Sequence, residues 1–206
     1  MSLCTGVGIA TFLGMLREYA WYFPPDYDRS AFLGGRRHDF GTLYSGSFYL
    51  HVVCGPPIIM LAAFSMAIAN RPRWKDWHRR LGRVVTMLTL VLLVPSGLLM
   101  SLQAYGGPLA ASGFIAQTTV TAVCGGMAGW TASVRRFEAH SLWATRLFVL
   151  LMSPLVLRVL AGIAVVTQRE SVWTYRVNAW ISWLVPLLIV ESQRHDWLPS
   201  ERKGIS

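Results

Sequence analysis

From Ser47 to Ala69 the chain runs for 23 residues without a single Lys, Arg, Asp or Glu. A bilayer's hydrocarbon core is about 30 Å thick and takes about 20 helical residues to cross. No water reaches that core, so the backbone amides and carbonyls of such a stretch must pair internally, which means helix. Apolar stretches of comparable character recur at 81–102, 109–132, 141–166 and 176–190, the later ones interrupted by isolated arginines. The expected fold is therefore all-α, a polytopic transmembrane helical bundle of five crossings. With 53% hydrophobic and 14% charged residues, an ordinary soluble domain is excluded.

Orientation follows from Arg71 to Arg83, RPRWKDWHRRLGR, where six Lys or Arg face one Asp. Short basic loops resist translocation, so this one is expected on the cytoplasmic side. The second turn on that side, SVRRFEAH, carries Arg135 and Arg136 and agrees with it. Trp74 and Trp77 fit the interface there, and the bases can hold anionic lipid headgroups. The formal charge of +9 thus reports topology and not a nucleic-acid partner, since six of the nineteen bases lie in this one loop. Cys4, Cys54 and Cys124 are far apart, with neither a disulfide framework nor a thiolate metal site in their spacing.

The whole of 1–206 reads as one transmembrane domain. Residues 1–16 are apolar but too short for a full crossing, and without a basic start or cleavage site they predict a short or partial helix, not a cleaved leader. Residues 17–46 predict an outer loop: four bases balance four acids, Pro24, Pro25, Gly34 and Gly35 break helix, and Tyr19, Trp21, Tyr22 and Phe23 suit an interfacial belt. His38 reads there as a surface histidine. The five-helix bundle occupies 47–192, and the polar tail 193–206 is expected in the cytoplasm.

Within the bundle, polar residues must face protein or water. His51 lies in the outer half of the first crossing, just before Pro56 and Pro57, which deprive the helix of amide donors and free carbonyls that need partners from neighbouring helices. Pro95, Ser96 and Gly97 predict a second such bend. Gly125 and Gly129 have the small-xxx-small spacing of close helix contact. Arg146 is near enough to the cytoplasmic end to snorkel, whereas Arg158 is deep in the outer half and needs an inward-facing partner.

Counting directions places His78, Arg83, His140, Arg146 and Glu191 at one cytoplasmic level, and His51 with Arg158 at an outer level. Two imidazoles on facing elements can supply both axial ligands of a haem iron, with arginines pairing its propionates. His78 and His140 are on that ground the candidate metal ligands of a haem b. Arg83 and Arg146 are candidates for propionate or quinone oxygens, and Glu191 for orienting an arginine. Three other readings stay open: a salt-bridged rim, an accessory or scaffold subunit of a membrane complex contacting partners through its Trp-rich helices, and a small-molecule transporter. The lack of an evident internal repeat weighs against the last.

FYLHVVCGPP at 48–57, HRRLGR at 78–83, PSGLLMSLQAYGG at 95–107 and AHSLWATR at 139–146 carry a family resemblance, together with Arg158 and the final crossing closing on Glu191. Over Phe48 to Glu191 the chain resembles the bacterial membrane proteins of unknown function grouped as DUF2306. The resemblance implies an all-helical integral protein of the bacterial cytoplasmic membrane. Its recurrent positions are matched by His51, Gly55, His78, Arg79, Gly82, Arg83, His140, Trp143, Arg146, Arg158 and Glu191. Ser141 and Ala144 depart from the family pattern, and family members commonly begin with a complete helix where this chain has residues 2–16. Small transmembrane cytochromes b offer an analogy, but their four-histidine, two-haem arrangement is not matched, because His51 has no histidine partner in a crossing.

Overall fold

The computed structural model describes residues 3–30, 32–34 and 40–193. Among these the regular elements are helical: α1 (Leu3–Glu18), α2 (Thr42–Ile68), α3 (Lys75–Leu88), α4 (Val94–Ser101), α5 (Pro108–Ser133), α6 (Phe137–Val166) and α7 (Val172–Ser192). Helices α3 and α4 are one rod joined by a π turn at Thr89–Leu93. Four helical stretches are long and apolar enough to cross a membrane: Leu43–Ile68, Pro72–Ser101, Pro108–Ser133 and Phe137–Val166. Helix α7 packs along α5 and α6 but falls short of that apolarity, with Arg176 and Asn178 in its first turns. The fifth expected crossing is thus present as a helix, while its composition alone does not mark it as a span.

The basic stretch is not a loop. Pro72–Trp74 is a single 3₁₀ turn, and Lys75 already begins α3, so His78 and Arg83 stand on helix. A short hairpin therefore leads directly into the next span, and Trp74 seats its ring against Phe64 of α2, 6.3 Å between centroids. Trp77 is exposed.

Two cores hold the bundle. The larger gathers Ile58, Val85, Cys124, Leu147, Leu150 and Trp183 from five helices. The smaller joins Tyr22 and Leu33 to Tyr44 and Phe48 of α2. Tyr22 is therefore a core residue, with its ring edge-on to Phe48 at 5.1 Å, and not part of an interfacial belt. Of the four expected belt aromatics, Phe23 is the exposed one with a large apolar face.

Prolines decide where other elements attach. Pro56 has no amide proton, so the Val52 carbonyl one turn earlier loses its helical donor. Tyr19, in the 3₁₀ turn after α1, donates its hydroxyl to that carbonyl. The partner needed opposite Pro56 thus comes from the segment before α2, not from a neighbouring span. Pro95 follows the π turn, and Ser96 donates its hydroxyl to the Leu92 carbonyl at 2.6 Å.

Glycines set two close approaches. A Cβ on Gly113 would lie 3.0 Å from the Trp180 indole nitrogen and 3.1 Å from the Ala179 carbonyl. Its absence lets Trp180 reach the Leu109 carbonyl at 3.1 Å, tying α7 to the start of α5. At the turn before α5, Gly106 and Gly107 both have positive φ, and the Gly106 carbonyl accepts from Arg176 at 2.7 Å. Gly125 and Gly129 meet Leu90 and Thr86, so their spacing serves the contact of α5 with the α3 rod.

Tyr19→Phe is expected to lower stability by about 1–3 kcal/mol, the cost of a buried acceptor left unpaired. Pro56→Ala returns an amide donor to Val52, so in that background Tyr19→Phe should be much milder. Thermal unfolding of the four proteins in detergent measures the difference, and equal effects in both backgrounds would contradict the pairing.

Candidate functional site

His78 projects from the first turns of α3 toward the last turns of α2. Its Nδ1 lies 3.0 Å from the Ser65 carbonyl oxygen and 3.1 Å from the Ser65 hydroxyl. That carbonyl is at a helix end, where the Ala69 amide has turned to Met66, so the usual i+4 donor is missing. His140, in the first turn of α6, repeats the arrangement against α5, with Nδ1 2.9 Å from the Ala128 carbonyl. A carbonyl oxygen can only accept, so His140 Nδ1 carries the proton of this bond, and in the neutral ring Nε2 is then the lone pair. The Ser65 carbonyl favours the same tautomer for His78.

The two rings are neighbours in an edge-on arrangement, with centroids 6.4 Å apart and planes inclined at 73°. Neither Nε2 has a hydrogen-bond partner among the described residues. Holding one ring nitrogen on a carbonyl while presenting the other is the usual setting of a metal-ligating histidine. Two rings that aimed one nitrogen each at a metal from opposite sides, about 2 Å from each nitrogen and about 1 Å from nitrogen to ring centre, would have centroids about 6 Å apart. Among the described residues no group of three or more His, Cys, Asp or Glu could hold a metal. The pair can offer two nitrogen ligands, which matches the axial demand of a haem and falls short of a zinc cage.

Arg146 and Glu191 meet separately. The guanidinium grips the carboxylate with two bonds, Nε to Oε1 at 2.5 Å and Nη2 to Oε2 at 2.9 Å. Its other face covers the Trp143 ring at 4.4 Å. Arg146 is only 14% exposed, so this is a snorkelling arginine no longer: it is anchored across α6 and α7. A cleft of about 600 Å³ opens beside the pair, lined among others by Val123, Cys124, Trp143 and Leu187.

The expected five-residue cluster therefore divides. His78 and His140 come together, Arg146 and Glu191 come together, and Arg83 joins neither. Five residues beyond His78, it is turned about 140° around α3 and is exposed, with no ion pair among the described residues. Arg79 is in a solvent-exposed pair with Asp76.

The outer pair also divides. His51 Nδ1 lies 3.1 Å from the Ser96 hydroxyl, whose single proton goes to Leu92, so His51 is the donor. A Cβ on Gly97 would lie 3.2 Å from the His51 ring, so the glycine makes room for it. Arg158, half-buried on α6, acts instead on Tyr19: burial and the nearby Tyr22 push that phenol up to about 12, with Arg158 pulling it down. No hydrogen bond joins His51 to Arg158 among the described residues. His38 lies outside the described residues.

Ser65, Ser96 and Tyr19 position these groups, and the apolar pattern does not disclose them. The one available signal was a lone small hydroxyl inside an uncharged span, which must find a partner.

A family model described as "Predicted membrane protein (DUF2306)" matches residues 48–192. None of the curated proteins matches the chain, and no solved structure does. The match includes His51, the imidazole pair and the Arg146–Glu191 bridge, and excludes Tyr19.

Breaking the bridge by Glu191→Ala strands a guanidinium and is expected to cost about 2 kcal/mol, less than for a fully buried pair because the carboxylate is partly open. Arg146→Met with Glu191→Leu together should cost markedly less than either single change. Chemical-denaturant curves in detergent measure both.

Proposed function

The chain belongs to the DUF2306 family of predicted membrane proteins, and on that premise we propose that it is a redox component binding one haem b between His78 and His140. The observation that carries this reading is the adjacent imidazole pair, each ring fixed through Nδ1 on a backbone carbonyl, with centroids 6.4 Å apart. Bound there, the iron would carry single electrons. The protein's part is to fix the tautomer of each ring when it is neutral, through the Ser65 and Ala128 carbonyls, with both rings half-buried between helices. Arg146 is held by Glu191 and Arg83 faces away, so propionate pairing by these two arginines is not part of the proposal.

The setting is a bacterial cytoplasmic membrane crossed five times, with α7 as the fifth crossing. At 21 residues α7 is about 31 Å long, enough for the hydrocarbon core. Its Arg176, near one end, donates its Nε–H to the Gly106 carbonyl. The end carrying Arg71, Arg73, Lys75, Arg135 and Arg136 faces the cytoplasm, which puts the imidazole pair near that face.

A dithionite-reduced minus oxidised spectrum of the purified protein tests the haem. A sharp alpha band is expected, lost in His78→Ala and in His140→Ala and retained in His51→Ala. Protein expressed with ample haem supply that gives no band overturns the reading in favour of an accessory subunit or a transporter. Cysteine labelling tests the topology separately: Gln193→Cys should react from the cytoplasmic side and Gly107→Cys from the outer side.

A further inference from the structure

The cleft beside the Arg146–Glu191 bridge belongs to neither histidine and sits between α5, α6 and α7. We infer that it binds the head of a neutral, membrane-dissolved quinone. The choice of a redox-active ligand rests on the haem reading, while the site itself stands on its own geometry.

Its volume of about 600 Å³ is in the range that accommodates a small organic head. Most of the lining is apolar, and Val123 on α5 is half exposed on the bundle's outer surface. A ligand therefore enters sideways, from lipid. Arg146 is already matched by a carboxylate through two bonds, so its guanidinium carries no unanswered charge for a phosphate. What it does offer is donors: a guanidinium has five N–H groups, and those beyond the two on Glu191 are uncommitted among the described residues. A neutral ligand with carbonyl acceptors fits that combination.

The cleft and the imidazole pair share the start of α6: Ala139, which lines the cleft, directly precedes His140, and Trp143 is about one turn further along.

Photolabelling with an azido-ubiquinone of the protein in lipid nanodiscs, followed by peptide mass spectrometry, tests this. Label is expected on peptides containing 119–124 or 139–146 and should be displaced by excess decylubiquinone. Val123→Trp and Leu187→Trp fill the cleft from opposite walls, so if one fails to fold the other still reports. Each should reduce labelling about tenfold or more, the loss that a misfit of a methylene or two produces in a shaped pocket. Label spread over the lipid-facing helices, or unchanged in a folded Trp variant, overturns the site. Spectrum and labelling are read together on the unsubstituted protein: cleft labelling without an alpha band marks a failed haem with a sound cleft, and an alpha band without cleft labelling marks the reverse.

Discussion

The structure depends on a shortage of hydrogen-bond donors in an environment without water. Each proline and each helix end inside the bundle leaves a carbonyl that lipid cannot serve. The chain answers with side chains brought from elsewhere: Tyr19 to Val52, His78 to Ser65, Arg176 to Gly106. Each of these bonds joins one element to another, so the defects in individual helices become the attachments of the fold. Replacing Pro56 would return an amide to the Val52 carbonyl and remove the need for the Tyr19 bond, leaving the Tyr22–Phe48 core to hold that segment.

The same kind of bond orients the histidines. A histidine that donates from Nδ1 to a carbonyl cannot also present that nitrogen elsewhere, so its remaining nitrogen is defined by the backbone and not by chance rotamers. His51 is held in a comparable way by Ser96, whose own proton is committed to Leu92. The bidentate bridge of Arg146 to Glu191 works differently, by cancelling charge at a depth where a lone guanidinium is expensive. Its stack on Trp143 fixes the third side of that guanidinium.

Depth was legible in the sequence, and direction around the helix was not. Apolar length and the placement of bases order the residues along the membrane normal, which is why His78 with His140 and Arg146 with Glu191 could be matched across distant parts of the chain. Arg83 shares their level but points about 140° away from His78, and the extent of helix upstream of it was hidden by reading the basic stretch as a loop. Tyr19 illustrates the other limit. Its aromatic neighbours resemble an interfacial belt, and nothing local distinguishes a ring at the headgroups from one reaching a carbonyl 33 positions away. Helix α7 was legible as a helix, although Arg176 and Asn178 dilute its apolar signal.

The π turn at Thr89–Leu93 separates the two ends of one long rod in rotational phase. An α-helix locks every side chain to a common azimuth, advancing about 100° per residue. A π turn holds more residues than an α turn, so whatever follows it is rotated relative to an uninterrupted helix. Before the turn, the rod aims His78 at α2; after it, the rod aims Ser96 at His51 on the same helix. The bulge is thus a vernier between two contacts that an uninterrupted helix would have to satisfy with one shared angle.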